Sequence, residues 1–335
     1  MTERARSIKI RFGTALACAA IAVIAILGFT NRQLISDQIS IWGFTPSPSV
    51  TQVQERMQLT DRGDFVFLAS NPTLESSSLF NDQCAQVDHS EEGHVLGCFT
   101  GSRIHLFMVD DERLDGIVDV TAAHELLHAV YARLTDGEKA DLNKTLNAEY
   151  QKLSKSNPEL TERMSVYQSL PEDRFVNELH SVLGTEVGAL SGELEKHYAE
   201  TFRDRAAVVT FFDNYHAVFT SLQDEAEKIE SEMSELGESI ETRSTTYQED
   251  LGVLNADIAS FNQRLSDGEI SSQTQYNTER SALVTRADAL EAARNTLKTD
   301  VTRYKDLRKR LLELDAKSKE LNRVINSNLA PAPSL

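Results

Sequence analysis

His124 and His128 stand four residues apart in the pentad His124-Glu125-Leu126-Leu127-His128. On a helix that spacing puts both imidazoles on one face, a turn apart, where they can share one tetrahedral zinc ion. Glu125, next to His124, falls outside that ligand set and beside the water the metal would hold. Zinc lowers the pKa of such a water, and the carboxylate can take its proton as it attacks a carbonyl. The competing reading is two surface histidines on an ordinary core helix. With 8 histidines in 335 residues, a chance match is on the order of one or two per cent, so the setting must decide.

The run Val120-Thr121-Ala122-Ala123-His124-Glu125-Leu126-Leu127-His128-Ala129-Val130 resembles the active-site helix of the zincin metallopeptidases. The resemblance covers roughly residues 60–190 and implies Zn2+, a peptide or protein substrate and peptide-bond hydrolysis with Glu125 as general base. The metzincin pattern would need a glycine three residues after His128 and a histidine three beyond it. Tyr131 and Leu134 stand there, which excludes that class. The glutamate class takes its third ligand from a later helix, and Arg174-Phe175-Val176-Asn177-Glu178-Leu179-His180-Ser181 is similar to that helix. Glu178 is the implied third ligand, with His180 as the rival, and Asp173 and Glu186 as weaker ones near helix ends. The resemblance also implies a Tyr or His donor for the oxyanion, for which His180, Tyr167 and Tyr131 are candidates. Asn177 or Asp173 would orient a ligand histidine.

The elements that must position these residues make an α+β reading. A helix is expected over 50–59. The apolar run 65–68 reads as a buried strand stopped by Asn71-Pro72, and 94–99 with 103–109 as a hairpin. By position, the strand over 103–109 matches the edge strand on which zincins hold an extended substrate. From Ile117 onward apolar residues fall at helical spacing, broken at Thr135-Asp136-Gly137. Further helices are expected over 138–154, 158–168, 171–183 and 186–202, with Pro171 in a first turn and Glu172 and Asp173 at the positive end of the helix dipole. The fold class is thus a small zincin-like domain, a short antiparallel sheet plus active-site helices, over 50–203.

The last third carries heptads. Leu222, Ala226, Ile229, Met233, Leu236 and Ile240 open one series to Leu265. After Ser266-Asp267-Gly268, Tyr276 and Leu283 open a second that ends at Ile325. Two arms joined by a tight turn predict an antiparallel coiled-coil hairpin over 204–328, with a parallel coiled coil between two chains as the alternative. This region offers a surface for a protein partner or for self-association. The tail 329–335 reads as disordered.

The formal net charge is −18, which argues against a nucleic-acid partner. Residues 12–30 contain an 18-residue run without a charge, preceded by Arg4, Arg6, Lys9 and Arg11 within residues 1–11. This predicts a transmembrane helix with a cytoplasmic N-terminus, a linker over 31–49, and an extracytoplasmic remainder. A cleaved signal peptide is the rival, but 27–29 make a poor cleavage site. Outside the cytoplasm, Cys84 and Cys98 become disulfide partners, against the alternative of two unrelated buried thiols.

Overall fold

The computed structural model describes residues 28–85 and 95–328. The chain divides into two compact units. One ends at Val218 and takes in the residues from Asn322 onward; the other is Phe219–Leu321. Most described residues are helical, with one small sheet and two long helices.

The first unit opens on α1 (Arg32–Trp42), so the stretch expected as a linker over 31–49 is helical through most of its length. α2 (Pro48–Arg56) starts where the Ser47 hydroxyl accepts from the Val50 N–H and Pro48 fills the first turn. α3 (Asp61–Ala69) starts at Thr60, whose hydroxyl accepts from the Gly63 N–H, with Asp61 and Asp64 in its first turn. The run expected as a strand over 65–68 therefore belongs to a helix. Its four apolar residues carry no period of their own, and the cap with two acidic residues decides the local structure.

The sheet holds β1 (Thr73–Glu75), β2 (Gly97–Phe99) and β3 (Ile104–Phe107), in the order β1-β3-β2. β2 pairs antiparallel with β3, with Cys98 opposite His105, as the hairpin reading requires. β1 pairs parallel with β3 on its other side, with Leu74 opposite Leu106. The sheet is therefore mixed rather than antiparallel. β3, expected as the edge, is the central strand, and all four of its residues are buried. The reason is β1: Pro72 ends the turn after α3 and releases three residues that cover the open side of β3. α4 (Ser77–Cys84) follows β1, and a Cys84–Cys98 disulfide ties it to β2. Phe80 and Phe107 bury the bridge.

α5 (Ile117–Ala132) runs through the main core. Ala122, Ala123, Leu126, Leu127 and Ala129 are fully enclosed. α6 (Asp136–Leu153) begins with a reciprocal cap: the Thr135 hydroxyl accepts from the Glu138 N–H, and Glu138 accepts from the Thr135 N–H. α7 (Pro158–Ser165) is capped by Asn157. α8 (Glu172–Glu186) packs along α5. It extends past the expected stop, so the helix expected over 186–202 shrinks to α9 (Gly192–Tyr198).

α10 (Arg205–Ser266) and α11 (Gln273–Ile325) supply the second unit. There Arg286 pairs with Asp257 at 2.6 Å and Arg243 with Asp300 at 2.9 Å, while Arg303 pairs with Glu232 and Arg310 with Glu225. These partners run in opposite senses along the two helices, so the arms pair antiparallel within one chain. Leu222, Ile229, Leu254 and Phe261 are buried along the seam. Among the described residues no helix is long and apolar enough to cross a membrane. All but the last three residues of the span expected over 12–30, and the tail 329–335, lie outside the described residues.

Candidate metal centre

α5 brings His124 and His128 to one face, with ring centroids 4.8 Å apart and edge-on. α8 lies alongside, close enough that a Cβ on Gly184 would overlap Leu127 Cδ1 and stand 2.8 Å from Tyr198 Cε1. That approach carries Glu178 to the histidines. Its Oε2 lies 3.5 Å from Nε2 of His124 and 3.5 Å from Nε2 of His128. Among the described residues, these three offer one ligand atom each, all within 4.8 Å of one another, and could hold a metal ion. Zinc bonds to nitrogen and oxygen of about 2.0–2.1 Å set a tetrahedral edge of about 3.3 Å. The two carboxylate-to-imidazole separations fit that edge and are long for hydrogen bonds. Two imidazoles and one carboxylate are also a donor set that zinc accepts, with a fourth position left for water or substrate.

The charges in the site are strongly coupled. Burial pushes the Glu178 carboxyl up, but His128 and His124 override it and hold it far below the usual range. Burial pushes His128 down, while the Glu178 carboxylate, with help from Glu125 and Asn177, lifts it to about 9. The pocket thus favours positive charge at His128, which a bound cation would supply in place of a proton. Among the described residues, His128 Nδ1 and Asn177 Oδ1 are both buried without a closed hydrogen bond, and Asn177 is a neighbour that favours N–H on His128.

Glu125 follows His124 on α5 and is 7 % exposed. It lies against β2: a Cβ on Gly97 would come 2.8 Å from Glu125 Cγ, 2.9 Å from its Oε1 and 2.6 Å from Thr121 Cγ2. Gly97 has no side chain to do chemistry and escaped the sequence reading. Its signal was a glycine inside a predicted strand, which marks a close approach. A second feature the sequence did not show is a buried Glu75–His105 pair, 2.9 Å between Oε1 and Nδ1, with the Thr73 hydroxyl against both.

The remaining candidates fall elsewhere. His180 is fully buried, two residues beyond Glu178 and so on a different face of α8. Its Nε2 lies 2.9 Å from His197 Nε2, and its ring stacks on Tyr198. Burial first, then the neighbouring His197, His128 and His124, hold its pKa well down. His180 is not part of the three-residue group. Tyr167 is buried in the main core with the Arg163 guanidinium 5.4 Å above its ring. Tyr131 donates its hydroxyl proton to Asn143 Oδ1 at 2.9 Å. Glu186 pairs with Arg163 at 3.2 Å, and Asp173 sits in the first turn of α8.

Comparison of the chain with protein-family models, curated proteins and solved structures found no match to any of the three.

Proposed function

We propose that this chain is a zinc-dependent metallopeptidase of the zincin type, with Glu178 as the third ligand, tethered to a membrane through residues 12–30. One observation carries the reading: a carboxylate from α8 converges with both pentad imidazoles at 3.5 Å. A chance pair of helix histidines would have no reason to meet a half-buried acid from another element. When bound, zinc would acidify a water and polarise the scissile carbonyl. Glu125 stands next to the ligands, takes the proton of the attacking water and returns it to the departing amine. Gly97 keeps the Glu125 carboxylate against β2, which limits its wander. Among the described residues β2 is an edge strand, and a peptide added along that edge would lie next to the helix that carries Glu125. This supports an extended peptide as substrate and transfers to β2 the role first expected of 103–109.

The Cys84–Cys98 bridge supports an oxidising, extracytoplasmic location for the catalytic unit. The paired arms of α10 and α11 form a coiled-coil hairpin suited to a protein partner. A second reading makes that hairpin the working part of a cell-envelope interaction protein, the metal site serving structure or regulation. The long exposed helices favour it.

The test is metal content and hydrolysis in the purified chain. One zinc per chain and cleavage of unfolded protein substrates are expected. Glu125→Gln should keep the zinc and abolish cleavage. Cleavage undiminished by that change overturns the assignment, and envelope defects rescued by Glu125→Gln as well as by the native chain favour the second reading.

A further inference from the structure

α1 has two unlike faces. Asp37 points inward and is 5 % exposed. Its carboxylate accepts from Arg133 Nε at 3.0 Å and Nη2 at 2.8 Å, and from Gln33 Nε2 at 3.0 Å. Arg133 is the C-cap residue of α5 and also donates to the Ala129 carbonyl at 2.9 Å. A two-pronged, buried ion pair thus docks one face of α1 on the end of the helix that bears the metal site. The opposite face is apolar and, among the described residues, uncovered. Ile35, Ile39 and Trp42 follow one another at spacings of four and three, which puts them on one stripe, and they are 47 %, 59 % and 78 % exposed. Leu34, at 57 %, flanks the stripe, and Phe29, at 70 %, precedes it. Asp37 and Arg32 are the only charged residues of the helix.

Such a face needs an occupant, and the sequence before it says which. The charge-free apolar run ends at Phe29, three residues before α1 begins. On the reading of 12–30 as a membrane anchor, α1 starts within one or two helical turns of the bilayer surface. Tryptophan and branched aliphatic side chains beside a span are the residues that settle at the headgroup boundary. We propose that α1 is an interfacial helix, with the Ile35–Ile39–Trp42 stripe in the lipid surface, and that the Asp37–Arg133 pair transmits its orientation to α5. The metal site then keeps a fixed height and aspect above the membrane. The inference rests on the anchor reading but is separable from it.

Trp42 is the only tryptophan in the chain, so its fluorescence reports on this face alone. The full chain is reconstituted into vesicles of equal parts phosphatidylcholine and phosphatidylglycerol, with and without bromine on the upper acyl chain. Flotation that resists alkaline carbonate reports the anchor. The expected result is flotation, at least a halving of Trp42 emission by the brominated lipid, and quenching by aqueous acrylamide about threefold weaker than in the urea-unfolded chain. The double variant Ile35→Glu with Ile39→Glu alters only exposed positions; it should still float, and Trp42 should regain its acrylamide sensitivity. Flotation with Trp42 open to acrylamide and blind to bromine overturns the interfacial helix and leaves the anchor standing. Shielding from acrylamide without bromine quenching means a second copy or another protein covers the stripe, and overturns it as well. A chain that does not float overturns both.

Discussion

Gly97 on the edge strand is the seat of Glu125: any Cβ there would stand 2.8 Å from Glu125 Cγ and 2.6 Å from Thr121 Cγ2. Gly97→Ala must therefore move the carboxylate or the strand. A displacement of about 1 Å at a catalytic group costs about 100-fold in rate. On the peptidase reading proposed above, the expected outcome is a loss of that order in kcat/KM with zinc still bound, because the atoms nearest the added Cβ belong to Thr121 and Glu125 and not to His124, His128 or Glu178. Steady-state kinetics beside metal analysis checks this. Native activity in Gly97→Ala would show that Glu125 is not the base held at this place.

What the sequence showed and what it concealed follow from the length and period of each element. The pentad lay on a long apolar-periodic run, and α5 forms over it. The heptads around Leu254 and Phe261 ran long enough to announce two paired helices, and those residues are buried on the seam. The choice between Glu178 and His180 was open because both are ligand types on one predicted helix. Two residues of helix turn a side chain through about 200°, and only Glu178 meets the imidazoles. The sheet was harder. β1 is three residues long, too short for alternation to register, and one of them is Glu75, a buried acid that only makes sense beside His105. With β1 missed, β3 passed for an edge.

The Cys84–Cys98 bridge joins residues 14 apart in sequence. A closed loop of that length withholds about 3 kcal/mol of chain entropy from the unfolded state. Cys98→Ser should lower unfolding stability by about that amount, read from urea denaturation of native and variant chains under non-reducing conditions. Because the bridge anchors β2, the peptide hydrolysis proposed for this chain should fall along with stability. An unchanged urea midpoint would mean that the packing of Phe80 and Phe107 holds the strand without the bond.

His197 pairs with His180 inside the protein, and burial, opposed by Glu200 and aided by Arg62, holds its pKa below the ordinary 6.5. The sign follows. Below pH 6.5 the unfolded chain takes a proton that the folded chain resists, so this group's contribution is complete above that pH and is lost as the pH falls toward the folded value. The unfolding midpoint should therefore drop between pH 7 and pH 5. His197→Gln, which keeps a hydrogen-bonding partner for His180, should flatten part of that drop. An identical pH slope in the variant would show that His197 titrates in the fold as it does in the unfolded chain.

Gly184 sets the distance between α8 and α5, and so the distance between Glu178 and the two histidines. Its added Cβ would overlap Leu127 Cδ1 and press on Tyr198 at 2.8 Å. Leu127 and Tyr198 are fully buried, so neither can swing aside freely. Overpacking of this kind costs about 1–3 kcal/mol. The strain has one direction of relief, which is to spread the helices. Leu127 is adjacent to His128, so the spread opens the ligand triangle as well as the core. Gly184→Ala should thus lower both the thermal midpoint and the zinc affinity, the latter by about tenfold, as changes that disturb ligand support do. Gly137→Ala is the matched control, because nothing lies within 4 Å of the Cβ it adds in the first turn of α6. It should leave zinc affinity unchanged and, if anything, raise stability. Competition titration with a zinc chelator, run beside thermal unfolding of the apo chains, separates the two effects. A Gly184→Ala chain that loses stability yet binds zinc as the native chain does would mean that α8 tilts about Glu178 rather than moving away from α5.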